Sequence, residues 1–328
     1  MNGGVLIISL DFELTWGVHD VLSLNEYREN LLGVQTAIPR LLDLFGRYRI
    51  HATWGTVGLL FFKSKEEMVS GLPSLKPTYR NRKYSPYDNM DSIGPDEQAD
   101  LFHFAPTLIK KIAEAPYQEI GTHTFSHYYC QEEGQTIEQF EADIKAAMDI
   151  ADKRGIKLKT ILFPRNQTNI EYLAVCRKYG IIAYRGNELS RIYESGSYQN
   201  YQSPFKRLLR ITDSYINLTG HHIYNLPALD DHIPKNLPSS RFLRPYNPKL
   251  KMIEPLRIHR IKKSMAAAAQ ENKVYHLWWH PHNFGKHQEE NLENLTEILE
   301  HYLHLKIKYG MSSLNMTEAT FNKCYDSC

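Results

Sequence analysis

Several things are scarce in this 328-residue sequence, and each scarcity excludes something. There are four cysteines, Cys130, Cys176, Cys324 and Cys328, with no CxxC pair and no disulfide-like spacing. They read as free thiols, which excludes a disulfide-stapled scaffold. Excess charge is missing too: 39 Lys+Arg against 37 Asp+Glu leave a net charge of +2, which argues against general nucleic-acid binding. No apolar run approaches the ~20 residues that span a bilayer. The hydrophobic start at residues 5–10 is too short, and lacks the basic flank, for a secretory signal. The expected location is therefore the cytoplasm, and the sequons at Asn166, Asn217, Asn294 and Asn315 read as chance.

What is present is an ordinary hydrophobic content, 42%, arranged as short apolar runs alternating with amphipathic stretches. Gly4-Val5-Leu6-Ile7-Ile8-Ser9-Leu10 is apolar on both faces and reads as a buried strand. A helix over residues 33–48 and a strand over 50–57 complete a βαβ unit. The pattern resumes with a strand at 119–122, a helix over 136–154, a strand at 159–163, a helix over 169–179 and a strand at 181–184. It closes with a helix over 253–272, a strand at 274–279, a helix over 289–309 and an extended piece at 312–316. Repeated βα units without a linker predict one α/β domain over residues 1–328, a barrel or doubly wound sheet. Two proline-rich, aperiodic stretches, residues 63–100 and 186–248, read as insertions, the second with one strand at 207–211.

In such proteins chemistry gathers at the C-terminal ends of strands. The first strand ends in Asp11-Phe12-Glu13, whose spacing points both carboxylates to one face. The strand at 119–122 leads into His123-Thr124-Phe125-Ser126-His127, two histidines four apart, which on a helical turn could chelate one metal ion. With a carboxylate from another strand they form the two-histidine, one-carboxylate set of hydrolytic zinc. Just past a third strand, Arg165, Asn166 and Gln167 follow Pro164, and Arg165 is placed to hold a catalytic carboxylate ionised. The strand 274–279 aligns His276, Trp278 and His280 on one face. His276 reads as a core histidine, and His280, at the strand end, as a general acid.

Taken in order, these elements resemble the polysaccharide deacetylase family, the NodB-homology or carbohydrate esterase family 4 group. His123-Thr124-Phe125-Ser126-His127 matches its His-(Ser/Thr)-x-x-His motif, Asp11 and Glu13 occupy its first motif, and Ala52-Thr53-Trp54-Gly55 is similar to its Ala-Thr-Phe-Phe segment. The resemblance implies a distorted (β/α)7 barrel with the two long insertions. It also implies a divalent metal, zinc first with cobalt, manganese or nickel as alternatives, on Glu13, His123 and His127, with Asp11 as base and His280 as acid. Phe12 separates the two carboxylates that are adjacent in the usual motif. The third motif usually reads Arg-Pro-Pro, whereas here Arg165 follows Pro164, and for the fourth motif Asp213 is the nearest candidate.

The implied reaction is N-deacetylation of an amino sugar, nucleotide-linked or lipid-linked, in a cytoplasmic precursor of a surface polysaccharide such as O-antigen. Trp16, Trp54, Asn166, Trp278 and His282 are the expected substrate contacts, with Trp279 a further stacking face. Two other readings stand beside it: hydrolysis of a cyclic amide, imide or non-sugar N-acyl compound, and a non-catalytic carbohydrate-binding protein.

Overall fold

The computed structural model describes residues 3–194, 203–228 and 234–321. Eight parallel strands curl into an open barrel: β1 (Val5–Phe12), β2 (Ala52–Thr56), β3 (Gln118–Thr122), β4 (Thr160–Leu162), β5 (Ala183–Arg185), β6 (Lys235–Asn236), β7 (Arg241–Phe242) and β8 (Val274–Trp279). Their order is β6-β5-β4-β3-β2-β1-β8-β7, so among the described residues the barrel is open between β6 and β7. A ninth strand, β9 (Ser312–Leu314), pairs with the first half of β1, below the point where β2 takes over that edge. The expected barrel is present, with two strands so short that no sequence period marks them.

The alternation along β1 sorts the molecule into layers. Leu6, Ile8, Leu10 and Phe12 face the helices and join the main apolar cluster, where a fully buried side chain of this size contributes about 1.5–3 kcal/mol. Val5 and Ile7 face inward and pack with Leu162, Ala183, Leu237, Val274 and Met316, which floors the barrel. Ser9 and Asp11 continue the inner face toward the mouth, so the interior runs from apolar at the floor to ionisable at the top.

Among the described residues the helices are α1 (Leu24–Tyr48), α2 (Lys65–Ser70), α3 (Pro106–Glu114), α4 (Ile137–Lys153), α5 (Tyr172–Lys178), α6 (Pro204–Asp213), α7 (Glu254–Gln270), α8 (Gln288–Tyr309) and α9 (Met316–Thr320). Helix α1 starts well before residue 33, because Ser23 and Glu26 form a capping box that satisfies the first amides of an otherwise exposed first turn. It packs backbone to backbone on the turn after β8: a Cβ on Gly33 would lie 2.0 Å from the Gly285 carbonyl oxygen, and one on Gly285 1.9 Å from that of Asn30. The Asn30 side chain donates to the His282 carbonyl at 3.1 Å, so α1 fixes the segment that follows His280.

Three local expectations are corrected. The segment 207–211 is helical, part of α6, whose first residue Pro204 supplies a preset φ at N1. The stretch 186–248 contains strands β6 and β7 and so completes the sheet. Residues 63–100 hold the short α2 and turns of 3-10 helix at Arg82–Tyr84 and Pro86–Ser92. Cys130 and Cys176 are buried free thiols, and Cys324 and Cys328 lie outside the described residues.

Candidate active site

The mouth of the barrel gathers residues from β1, β3, β5 and β8. Glu13 follows β1 directly and is buried, with its Oε2 3.2 Å from His123 Nε2 and 3.1 Å from His127 Nε2. One ligand atom from each of the three residues falls within 4.8 Å of the others. The two histidines do not lie on a helical turn as expected. Thr124 and His127 have φ of 63° and 59°, so the segment is a tight loop. Asp143 of α4 clamps it, accepting from the Phe125 amide at 2.7 Å, the Ser126 amide at 3.1 Å and the Ser126 hydroxyl. On the other side the Thr124 and Phe125 carbonyls accept from Gly58 and Leu59, at 2.9 and 3.0 Å.

The donor chemistry fits a metal ion. His123 Nδ1 lies 2.7 Å from the Leu162 carbonyl, which can only accept, so this nitrogen carries the proton and Nε2 turns its lone pair toward Glu13. Burial lowers the pKa of His127 to about 4, against the opposing pull of Glu13, and keeps its imidazole neutral as a ligand must be. Burial pushes Glu13 upward, but His280 and the hydrogen bonds to His123 and His127 outweigh it and hold the carboxyl well below its usual range. An anionic oxygen faced by two imidazole lone pairs is a set that a divalent cation satisfies. A Cβ on Gly17 would fall 2.0 Å from Glu13 Cδ, so only glycine lets the turn Leu14–Gly17 close over this carboxylate.

Asp11 sits beside this cluster and is held by an arginine that sequence reasoning missed. Arg185, the last residue of β5, donates from Nη1 and Nη2 to the two Asp11 oxygens, both at 2.7 Å. It also donates to Ser9 Oγ at 3.1 Å, and its guanidinium lies 4.1 Å from the Trp278 ring centre. Burial alone would raise the Asp11 pKa; Arg185, with His123 and His280, reverses this and lowers it. The signal was available: Arg185 stands at a strand's C-terminal end, where the other site residues were sought.

Arg165, expected in that role, is corrected. With φ of 55° the backbone turns its side chain away from Asp11. The guanidinium pairs with Asp20, lies 3.8 Å from Glu132, and stacks 4.1 Å over Tyr129, whose ring in turn meets His127 edge-on. Asn166 is corrected as a substrate contact: it is buried, and its Oδ1 accepts from Arg185 Nε and Nη2 at 3.0 and 2.7 Å.

His280 Nε2 faces the cluster, 3.8 Å from Asp11 Oδ2 and 3.6 Å from Glu13 Oε1, while Nδ1 meets Asn283 Oδ1 at 3.3 Å. His282 is corrected from a substrate contact to a support. It is buried, stacks against His280 with ring centres 4.9 Å apart, and burial together with His280 lowers its pKa to about 3. His276 is a core histidine as expected, with Nε2 2.8 Å from Ser9 Oγ. Trp54 and Trp279 are fully buried on the helix-facing side of the sheet, too deep to stack on a ligand. Trp278 lines the mouth, and Trp16 borders a cavity of about 220 Å³ with His19, Leu22, Pro86 and Ile93. Asp213, the candidate for the fourth motif, lies outside the barrel in a separate pair with Arg241.

Fold and cluster together define an open parallel barrel with a two-histidine, one-carboxylate metal-type set at the C-terminal ends of its strands. A family model described as polysaccharide deacetylase matches residues 32–184, just under half of the chain, and over that span the chain is similar to the polysaccharide deacetylases. The matched span contains His123 and His127, whereas Asp11, Glu13, Arg185 and His280 lie outside it. No curated protein matches the sequence.

Among solved structures the chain is similar to a Mycobacterium smegmatis protein assigned to the polysaccharide deacetylases, with TM-score 0.59 and 12% identity over 98% of this chain and 90% of that one. It is also similar to PuuE allantoinase, with TM-score 0.57 and 11% identity over 97% and 89%. A third likeness is to the 4-alpha-glucanotransferase of Thermococcus litoralis, with TM-score 0.54 and 12% identity over 99% of this chain and 41% of that one. At these identities the likenesses show the shared fold.

Proposed function

We propose that the protein removes the acetyl group from an N-acetylated amino sugar, with Glu13, His123 and His127 holding a divalent cation. The observation that carries this reading is the convergence of Asp11, His280 and the three-residue cluster on one mouth. Zinc, or cobalt, manganese or nickel in its place, would polarise the amide carbonyl and lower the pKa of water from about 15.7 toward about 7.

The chain's own residues do the rest. Asp11, kept anionic by Arg185, accepts the proton of the attacking water at Oδ2, the oxygen nearest His280. His280 delivers a proton from Nε2 to the departing nitrogen, without which an amine cannot leave. His282 beneath it and Asn283 at Nδ1 fix the orientation of the ring. Trp278 and Trp16 offer faces for the sugar. In this reading the substrate is a nucleotide-linked or lipid-linked precursor of a surface polysaccharide, handled in the cytoplasm.

The test is acetate release by the purified chain, loaded with each metal in turn, from nucleotide-linked, lipid-linked and free N-acetyl sugars, with a cyclic amide alongside. Release from a sugar, abolished by chelation and restored by metal, is expected. Turnover of the cyclic amide alone would replace this reading with the amidohydrolase one. Sugar binding without turnover or metal would leave a carbohydrate-binding protein.

A further inference from the structure

Helix α6 is built inside out. A surface helix normally turns its apolar side to the core, yet α6 buries Arg210 and Asp213 and exposes Phe205 and Leu208, Phe205 at 68%. The apolar surface continues through Ile216 and Leu218 to Leu256 in the first turn of α7 and Met252 just before it, the last 96% exposed. Hydrogen bonds join the two stretches: Arg244 Nε donates to Ser214 Oγ at 2.9 Å, Arg257 to the Arg244 carbonyl, and Arg260 Nη2 to Asn217 Oδ1 at 2.9 Å.

Among the described residues 204–220 and 247–263, the exposed charges have one sign. Arg207, Lys249, Lys251 and Lys263 are exposed, while the acidic residues of 204–220 and 247–263, Asp213 and Glu254, are buried in pairs with Arg241 and Arg257. A cationic face repels a second copy of itself. Large apolar side chains interleaved with cations suit the boundary between anionic headgroups and acyl chains.

The face also borders the mouth. The turn before α7 follows β7 and so lies at the C-terminal end of the strands. The ring of Phe242, the last residue of β7, is 5.7 Å from that of His280, and the Arg244 guanidinium is 5.9 Å from Phe242.

We propose that this face seats the protein peripherally on an anionic lipid bilayer, with the barrel mouth beside the membrane surface. The proposal does not depend on which amide is cut. It is tested by co-sedimentation of the full chain with vesicles of phosphatidylcholine alone and of phosphatidylcholine mixed with phosphatidylglycerol. Retention by the anionic vesicles only, weakened by salt, is expected. Phe205→Ser with Met252→Ser, and separately Lys249→Glu with Lys251→Glu, should each reduce retention about tenfold or more. These side chains are exposed, so circular dichroism and the thermal midpoint should not change. Absence of retention, equal retention of the variants, or a wild-type dimer in sedimentation velocity that the Phe205/Met252 variant dissociates would each overturn the proposal.

Discussion

Two buried aspartate–arginine pairs lie on opposite faces of the sheet, and they differ in what each aspartate has left to offer. Asp213 accepts from Arg241 and the Tyr193 hydroxyl at one oxygen, 2.7 and 2.9 Å, and from the Leu218 and Thr219 amides at the other, 2.9 and 3.0 Å. Its acceptor capacity is used up by its own chain, which suits a structural joint beneath α6 and α7. Asp11 has Arg185 as its donor on both oxygens, and its Oδ2 still faces His280 and the mouth. The chemistry of the pairs is alike; free lone pairs aimed at open space set the proposed base apart from a joint.

The sharpest way to break this comparison is to neutralise each aspartate. Asp11→Asn should lower turnover by about 10²–10⁴ while bound metal, measured by elemental analysis, is retained. Asp213→Asn leaves Arg241 buried without its counter-charge and should cost about 3–5 kcal/mol of unfolding free energy in urea, with turnover of the folded fraction preserved. Full activity in Asp11→Asn, or loss of turnover without loss of stability in Asp213→Asn, would exchange the two roles.

A smaller effect is expected from Gly17→Ala. The new methyl group and the Glu13 carboxyl cannot share the same space, so the carboxylate must move off the two imidazoles. Metal affinity should fall by about 10–100-fold, comparable to losing a supporting partner of a ligand. Unchanged affinity by competition with a chelating dye would mean that Glu13 is not a ligand.

The two arginines are separated next. Arg185→Lys replaces a bidentate fork with a point charge and should lower kcat about tenfold or more. Arg165→Lys keeps a cation near Asp20 and Glu132 and should change kcat less than twofold by the same reasoning. The reverse ranking would restore the role that the sequence suggested for Arg165.

That reversal shows where sequence reading succeeds and where it stops. Strands β1 and β8 and helix α4 are legible because apolar period and end signals agree; α4 carries its own capping box at Thr136. The first nine residues of α1 and all of α3 escaped, although the Ser23–Glu26 box and Pro106 at N1 marked them. Strands of two residues, β6 and β7, have no period to read. Leu208-Leu209-Arg210-Ile211 suggested a strand because the apolar side of α6 faces outward. The grouping of Glu13, His123 and His127, with Asp11 and His280 beside them, was legible because each stands just at or after a strand end. Which arginine serves Asp11 depends on a contact between positions 174 residues apart and on a positive φ at Arg165, and neither is written in local spacing.

The last test concerns acid titration, and here a third aspartate sharpens the contrast. Burial pushes Asp213 upward but Arg241 overrides it, lowering its pKa to about 2, below an unfolded value near 3.9. The unfolded state therefore binds the proton first, and the stability that Asp213 contributes above about pH 4 is lost as pH falls toward about 2. Asp143, which clamps the His123–His127 loop, has no cation partner among its hydrogen bonds, and burial raises its pKa to about 7 against the pull of Ser126 and two amides. Here the folded state binds the proton first, so stability should decline as pH rises from about 4 to about 7, by at most about 1.4 kcal/mol per pH unit. Unfolding free energies measured in urea across pH 2–8 should show both limbs, the acid one flattened by Asp213→Asn and the neutral one by Asp143→Asn. A neutral limb that survives in Asp143→Asn would mean that this carboxyl is already ionised in the folded protein, and that its three hydrogen bonds outweigh burial as Arg185 does for Asp11.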